Sequence, residues 1–561
     1  MKNEWVVSVL VLTGILLICA AMILWDKYKQ KQWFLRKVKN NWGQIPEREY
    51  TQQELDSISH YAKYHQKEKF MIDDITWNDL QMDEIFMLIN STHSSCGEDV
   101  LYQMLRSPQM DWKTLEQRNQ LIDYFRTHEA ERIQILEQVK NAKKIRNISV
   151  ADYIEALKDV DRKGSGKYLV IAGAAVAAIL ATLFRPIPCM FLLLLVLCWG
   201  ALTHTKDSKK IEPYLNCFVC ILRVLRAADG FEKIKNPQIQ EYLDRIHVGR
   251  EKMKNFRRGA FLVASVNSIQ DGLEAIVISY LRIIFQVDFI KFYGMLKHVE
   301  GNEAYILDLY QAIGELDALI AIASFREMLP YYSVPQLKDG ENPVFLEVEE
   351  LYHPLIEEPV ANSIQMQRGV LITGSNASGK STFLKTLAIN TILSQTIVTS
   401  IAKSYHASFF KVMTSMALRD NLTGGESYYM VEIRSLKRIL AECKKEGAVL
   451  CIVDEVLRGT NTIERIAASS QILRSLVKEK ILPMAATHDI ELSYMLEDVF
   501  DNYHFEEEIH EQDVVFDYTL RSGRAMTRNA IRLLGMIGYD PEIIEAAQQT
   551  ARRFEKTGVW K

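Results

Sequence analysis

The residues with the clearest chemistry lie between positions 369 and 386, GVLITGSNASGKSTFLKT. An apolar start reads as a strand, followed by Gly374, four further residues, and then Gly379, Lys380 and Ser381. Glycines let a backbone wrap a phosphate so that several N–H groups point inward. A helix starting directly after the loop adds the favourable end of its dipole. Lys380 is placed to reach the β- and γ-phosphates of a nucleotide, and Ser381 to ligate Mg²⁺. So short a pattern also arises by chance, and a second element decides. In AVLCIVDE, residues 448–455, an apolar strand ends in two acids. Asp454 suits Mg²⁺, directly or through water, and Glu455 suits the orienting and deprotonation of an attacking water. A buried strand with a solvated acidic end would explain the acids but not the loop as well, so ATP hydrolysis is expected. MAATHD, residues 484–489, is a third apolar strand whose end carries His488. A lone histidine is usually structural, but at a strand end following the acidic pair it reads as a γ-phosphate sensor.

The rest of the chain must position these groups. Its 561 residues call for several domains. With 48% hydrophobic and 25% charged residues and a formal net charge of −4, it lacks the basic excess of a protein built around gripping nucleic acid. Its eight cysteines show no small-domain spacing, and the lone CxxC at Cys217 and Cys220 has no second pair or histidines nearby for zinc. Core packing in a reducing compartment is the expectation for that pair.

Three apolar runs predict membrane helices. Trp5 to Leu24 is 20 residues without a charge, enough to span a bilayer, and lacks the basic start and small-residue cleavage pattern of a signal peptide. The segment after it, DKYKQKQWFLRKVK, has six Lys/Arg against one Asp, which predicts a cytoplasmic side. Runs at 168–184 and 187–203, joined by Arg185-Pro186, form a predicted transmembrane hairpin. Lys163, Lys167, Lys206, Lys209 and Lys210 hold its flanks on the same side. Residues 259–296 are apolar but interrupted by Asn267, Gln270, Asp271, Glu274 and Arg282, and read as a core helix pair. RIHVGREKMKNFRRG at 245–259 has four Arg, two Lys and one His against one Glu. It reads as a phosphate-facing stripe, a lipid-facing patch or a solvated helix face. The acidic run 497–513 reads as surface.

The local matches run in the order of one family, and the chain resembles the MutS family, whose ATPase is of the ABC class. Thr92, Gly97, Leu101, Leu105, Pro108 and Arg118 match the start of that family's helical core. IGELDALIAIASF (313–325) resembles the return of that core, and His353-Pro354 the approach to the ATPase. GSNASGKST keeps the family's Asn at Asn376, with Ser375 in place of Pro. DNLTGGESYYMVEI (420–433) resembles the signature segment, and DEVLRGTNT (454–462) the acidic pair and its loop, with Leu457 where a Gly is usual.

The resemblance implies two ATPase domains facing each other, each ATP lying between one P-loop and the partner's signature serine, Ser427 here, so a homodimer is implied. ATP-binding residues become Gly374, Asn376, Gly379, Lys380, Ser381, Thr382, Asn362 and Ser427; Mg²⁺ falls to Ser381 and Asp454, catalysis to Glu455 and His488. The adenine-side segment EEPVAN keeps Asn362 but has Pro359 and Val360 where an aromatic is common. Too few residues precede position 71 for a mismatch-reading domain, and about 190 residues between Arg118 and Glu315 leave little for DNA-clamping arms.

The expected fold is an α/β P-loop, ABC-class ATPase domain plus an all-α MutS-type core, with three transmembrane helices. The boundaries run 1–26 anchor, 27–70 basic linker, 71–162 helical core, 163–210 membrane hairpin, 211–335 helical core, and 336–561 ATPase domain with a C-terminal helical dimerisation element. A membrane-anchored ATPase facing the cytoplasm and binding DNA under ATP control is one expectation. An ATP-gated membrane scaffold with a protein or lipid partner is the other.

Overall fold

Apolar runs in the last 230 residues become strands that are buried on both faces. The computed structural model describes residues 2–64, 70–144, 149–157, 165–257, 280–340, 343–375, 378–416, 428–458, 460–509, 514–525, 531, 534 and 538–560. The strands in chain order are β1 (Gln336–Lys338), β2 (Leu346–Leu351), β3 (Asn362–Met366), β4 (Gly369–Thr373), β5 (Ser404–Ser408) and β6 (Lys411–Ser415). They continue with β7 (Val449–Asp454), β8 (Ile481–Thr487), β9 (Phe500–His504), β10 (Glu507–Ile509), β11 (Val514–Phe516) and β12 (Arg521–Ser522). Every residue of β4, β7 and β8 is buried, the mark of parallel strands covered by other elements on both faces.

These strands lie in a sheet ordered β12-β9-β4-β8-β7-β6, parallel throughout except for β12. Thr373 pairs with Thr487, and Ala486 with Asp454, so β4, β8 and β7 end level with one another. Ligands of open α/β sheets bind at such carboxyl ends. A second sheet runs β1-β5-β2-β3, and β10 pairs with β11 as a hairpin. All belong to a unit made of Gln66–Phe86, Met104–Gln120 and Leu329–Lys561.

Within that unit the helix Lys380–Thr396 follows the P-loop and is buried over most of its length. Several of its buried polar side chains find partners, as burial favours, while Asn390 Nδ2 and Ser394 Oγ have none among the described residues. The Gln395 amide takes both the N–H and the carbonyl of Phe410 at 2.9 Å, and Asn390 accepts from the Ile401 N–H at 3.0 Å. Arg118, one of the family-matching residues, donates to the Thr396 carbonyl at the end of this helix. The β6 edge is covered by the short helix Asp74–Asp79, capped by Asp73 accepting from the Thr76 N–H. Asp79 accepts from the Thr414 hydroxyl at 2.7 Å and the Met416 N–H at 3.0 Å, while burial holds its carboxyl above the usual range.

The other unit, Met1–His65, Met87–Gln103 and Leu121–Met328, is helical. Its buried spine is the helix Glu303–Met328. Asp317 on that helix is 1% exposed and accepts from the His93 and Ser94 N–H groups and the Ser94 hydroxyl. A Cβ at the family-matching Gly97 would overlap the Asp317 carboxylate, so glycine is required there for closeness rather than backbone angle. Arg326, also fully buried, meets Asp123 at 3.2 Å. Cys217 and Cys220 are buried in the helix Pro186–Phe231, as the core-packing expectation had it.

Three expectations need amendment, and a fourth lies largely outside the described residues. Residues 27–70 do not form a linker over most of their length: a helix runs unbroken over Lys2–Asn40, and Gln52–Tyr64 is a second helix with Leu55, Ile58, Tyr61 and Ala62 buried. The hairpin's second helix does not end near 203 or 210 but continues as one 46-residue helix, Pro186–Phe231. The reason is that the residues past 210 bury Ile211, Phe218, Val224 and Leu225 along a helical face. Among the described residues two helices, rather than three, are long and apolar enough to cross a membrane: Gly166–Phe184 and Pro186–Ile211, with mean hydropathies of 2.0 and 2.1. Their outer faces are bare, with Leu183, Phe184 and Ile187 at 77, 84 and 81% exposure. Of the region 259–296, residues 259–279 lie outside the described residues, and the remainder contains the helix Val287–Val299.

Candidate functional site

The loop after β4 turns through two glycines in conformations that other residues strain to adopt. Gly374 has φ +148° and Gly379 φ +102°. A Cβ on Gly374 would stand 2.8 Å from the Phe505 carbonyl oxygen, so the loop tolerates no side chain there. Lys380 opens the following helix and folds back, its Nζ donating to the Gly374 carbonyl at 2.8 Å and the Ser375 carbonyl at 2.6 Å. Burial pushes the Lys380 ammonium down to about 8, against the pull of Glu455 and Asp454. An ammonium held only by carbonyls, in a loop of inward-facing backbone, is poised for a polyanion. Ser381 and Thr382 are exposed at the start of the helix.

The two acids end β7. Asp454 is buried, and its Oδ1 has no hydrogen-bond partner. A carboxylate oxygen without a hydrogen-bond partner suits a hard cation. Among the described residues no group of three or more His, Cys, Asp or Glu side chains is arranged to hold a metal. Mg²⁺ bound through one or two protein oxygens and substrate phosphates fits this arrangement, because that ion keeps most of its other ligands.

Glu455 sits at φ +54°, a strained angle for a side-chain-bearing residue. Its Oε1 receives the His488 Nε2 at 2.7 Å, and its Oε2 pairs with Arg458. Burial alone would raise this carboxyl, but His488 and Arg458 outweigh it and hold it below the usual range. His488 stands directly after β8, whose backbone is level with β7, so neighbouring strand ends deliver acid and imidazole to one point. Leu457, at the family's usual glycine position, does adopt a left-handed angle, φ +61°, and its N–H is held by the Glu432 carboxylate.

Of these groups Gly379, Lys380, Ser381, Thr382, Glu455 and His488 line one cleft of about 500 Å³, whereas Asp454 is not among its lining residues. Its remaining wall was not legible as such: His353, Ile356, Phe505 and Tyr518, together with Arg458. Burial pushes His353 down to about 4, with Lys385 adding repulsion, so it is a neutral ring at pH 7. Tyr518 stacks on Phe516 at 6.0 Å between ring centres and lies against Gly379, where a Cβ would meet its ring at 3.2 Å. The only sequence signal for it was an aromatic pair, F-D-Y, between the acidic run and the final strand.

Asn362 lines the cleft, but its amide is taken: Nδ2 donates to the Tyr518 carbonyl at 3.0 Å and Oδ1 accepts from the Leu520 N–H at 2.7 Å. It therefore braces the loop that presents Tyr518. Asn376 and Ser427 lie outside the described residues. The acidic run 497–513 is not only surface: it forms β9 and β10, and Glu507 is buried, accepting from the P-loop Ser375 hydroxyl at 2.6 Å.

The basic stretch 245–259 is largely neutralised within its own unit. Arg245 pairs with Asp308 at 2.7 Å and Glu315 at 3.1 Å. Arg250 pairs with Asp229 at 2.9 Å and also with Glu232, and Arg257 takes both oxygens of Asp229. Arg258 and Gly259 lie outside the described residues. Three of the four guanidiniums thus answer carboxylates brought from helices distant in sequence.

Comparison with known proteins gives the same family as the motifs resemble. A family model described as MutS domain V matches residues 370–555. The DNA mismatch repair protein MutS of Thermus aquaticus is 30% identical over 241 residues, covering 42% of this chain and 29% of that protein. The DNA mismatch repair protein MSH3 of Meyerozyma guilliermondii is 28% identical over 288 residues, covering 47% of this chain and 29% of that protein. The MutS of Bacillus subtilis is 23% identical over 566 residues, covering 90% of this chain and 65% of that protein. The chain therefore spans between 29 and 65% of the length of these relatives.

Proposed function

Because this chain belongs to the MutS family, we propose that it is a membrane-anchored ATPase that binds and hydrolyses ATP with Mg²⁺ between two copies of itself. The observation that carries the reading is the meeting of Lys380 and the Glu455–His488 pair in one cleft, with Asp454 preceding Glu455 at the end of β7. In it the loop backbone and Lys380 hold the phosphates, Ser381 and Asp454 hold the metal, and Tyr518, His353 and Ile356 wall the base. Mg²⁺ supplies neutralisation of phosphate charge. Glu455 orients and deprotonates the attacking water, and His488 and Arg458 hold its carboxylate ionised for that task. Asn376 and Thr382 complete the loop's grip, and Ser427 of one copy closes the site of the other. The γ-phosphate then bridges donors that neither copy assembles alone, so hydrolysis releases the pair.

The anchors are the run 5–24 and the hairpin built from Gly166–Phe184 and Pro186–Ile211, with the ATPase on the cytoplasmic side. DNA is the proposed cargo, by likeness to relatives named for DNA mismatch repair. A second reading, an ATP-gated membrane scaffold acting on protein or lipid, is favoured by the internal pairing of Arg245, Arg250 and Arg257, which leaves that stretch little charge for phosphates.

The test is steady-state ATP turnover of the full chain in nanodiscs, without DNA and with homoduplex, mismatched and branched DNA. Glu455→Gln serves as the blank and is expected to lose about 10²–10⁴-fold in turnover while still binding nucleotide. A several-fold response to one DNA form supports the DNA reading. Turnover that follows lipid and ignores every DNA supports the scaffold, and no turnover above the blank sinks both.

A further inference from the structure

Cys443 and Cys451 take no part in the site described above, yet they face each other beside it. Their sulfurs are 3.6 Å apart. Cys451 lies within β7, three residues before Asp454, and is fully buried. Cys443 follows the helix Tyr428–Glu442 directly, its N–H bonded to the Ile439 carbonyl at 3.0 Å, and is partly open to solvent. We propose that this pair is a thiol modification site: an oxidant of the peroxide class converts it to a disulfide that pins the helix to the strand carrying the acids and slows ATP turnover. The rate clause rests on the ATPase reading, whereas the disulfide clause does not.

The geometry divides the labour between the sulfurs. Cys443 is the one an oxidant can reach. The Cys451 thiol beside it favours the Cys443 thiolate, and Lys478 adds to this, against the opposing effects of burial and of Glu442. Glu442 is itself answered by Lys411 at 2.9 Å and Lys445 at 2.7 Å, which blunts its repulsion. A reachable, thiolate-prone cysteine next to a resolving thiol is the arrangement of redox-sensing sites. In the first step the Cys443 sulfur attacks the peroxide: an S–O bond forms, the O–O bond breaks and water leaves after protonation. In the second, Cys451 attacks the Cys443 sulfur: the S–S bond forms, the S–O bond breaks and a second water leaves. Two thiols and one hydrogen peroxide become one disulfide and two waters, and a dithiol reductant reverses the change.

The helix is already tied to the far end of β7, because Glu432 near its start holds the Leu457 N–H just past the acids. A disulfide at its other end would fix both ends to one strand. The helix then could not shift relative to Asp454 and Glu455.

The full chain in nanodiscs is treated with hydrogen peroxide, quenched and digested without reduction. Lys444 and Lys445 let trypsin separate the two cysteines, so the linked peptides are identified by mass. The expected results are the Cys443–Cys451 linkage, slowed hydrogen exchange in 428–442, and turnover lowered roughly tenfold, as when a site-assembling motion is blocked. Dithiothreitol should restore all three, and Cys443→Ser and Cys443→Ala should show none of them. Absence of the linked peptides overturns the proposal, and linkage with unchanged exchange in the helix overturns the pinning. Reduced protein without turnover sinks the ATPase reading alone, since linkage and exchange are read without it.

Discussion

Replacing Lys380 with methionine should make the empty protein more stable and the ATP-loaded protein less so. The side chain keeps its length and loses its charge. Bringing the lysine from 10.5 down to about 8 corresponds to about 3 kcal/mol of penalty for keeping it charged when folded. Against this, the carbonyls of Gly374 and Ser375 lose their donor, at about 0.5–1.5 kcal/mol each. The net gain for Lys380→Met is about 1 kcal/mol, or roughly 2–4 °C in Tm for a unit of this size. The pH dependence fixes the cause. Below pH 8 both folded and unfolded chains carry the charged lysine, and the folded state bears the full penalty. Between 8 and 10.5 the folded lysine is neutral while the unfolded one still binds its proton, so wild-type stability rises with pH. The variant's advantage should therefore be whole at pH 7 and fade as pH climbs through 8. With ATP and Mg²⁺ at about 100 times Kd, the wild type should gain about 3 kcal/mol and the variant nothing, inverting their order. Thermal unfolding followed by circular dichroism at pH 7, 8.5 and 9.5, with and without nucleotide, reads all of this. A variant less stable than the wild type when empty at pH 7, or an advantage that grows with pH, would refute the reasoning.

Three further outcomes are expected. Tyr518→Ala should weaken ATP binding about 2–10-fold through loss of a stacking wall, measured by competition with a fluorescent analogue; unchanged affinity would remove this residue from the base wall. Asp317→Ala should destabilise the helical unit by about 3–5 kcal/mol, because the donors from His93 and Ser94 are left without their buried acceptor. Urea unfolding reads it, and a cost below about 1 kcal/mol would show those groups finding other partners. Changing Arg245, Arg250 and Arg257 together to Gln should alter the slope of log affinity for DNA against log salt by less than about one phosphate contact; a drop of three would show that these guanidiniums reach DNA despite their carboxylates.

The chemistry of the cleft was readable because it sits at the ends of apolar runs. GVLIT, VLCIVD and ILPMAAT announce buried strands; Asp454, Glu455 and His488 come at or just past the ends of β7 and β8, which are level with the end of β4, and Lys380 opens the helix after the loop that follows β4. What escaped was whatever depends on a partner far along the chain. The amide of Asn362 could be placed near the nucleotide, but not its capture by Tyr518 and Leu520, some 156 residues later. The charge of 245–259 was plain, while Asp229, Glu232, Asp308 and Glu315 that answer it were scattered over other helices. An aromatic that shares the cleft with Val360 and Asn362 comes from position 518, beyond an acidic run that hides it. Hydropathy likewise ended the hairpin near 203, because a window sees the onset of lysines at 206 and not the helical spacing of Ile211, Phe218, Val224 and Leu225.

That last helix has a mechanical meaning. Forty-six residues without a break make a strut of about 69 Å at 1.5 Å per residue. One half is apolar and bare, and the other is clamped by buried side chains. Past its first turn the helix holds one proline, Pro213, which has no N–H to give to the turn before it, so the strut has a single weak point between its bare and its clamped half. A load that leans the apolar half is passed to the helices around Phe218 and Leu225 as far as the turn at Pro213 stays straight, and is taken up there once that turn bends.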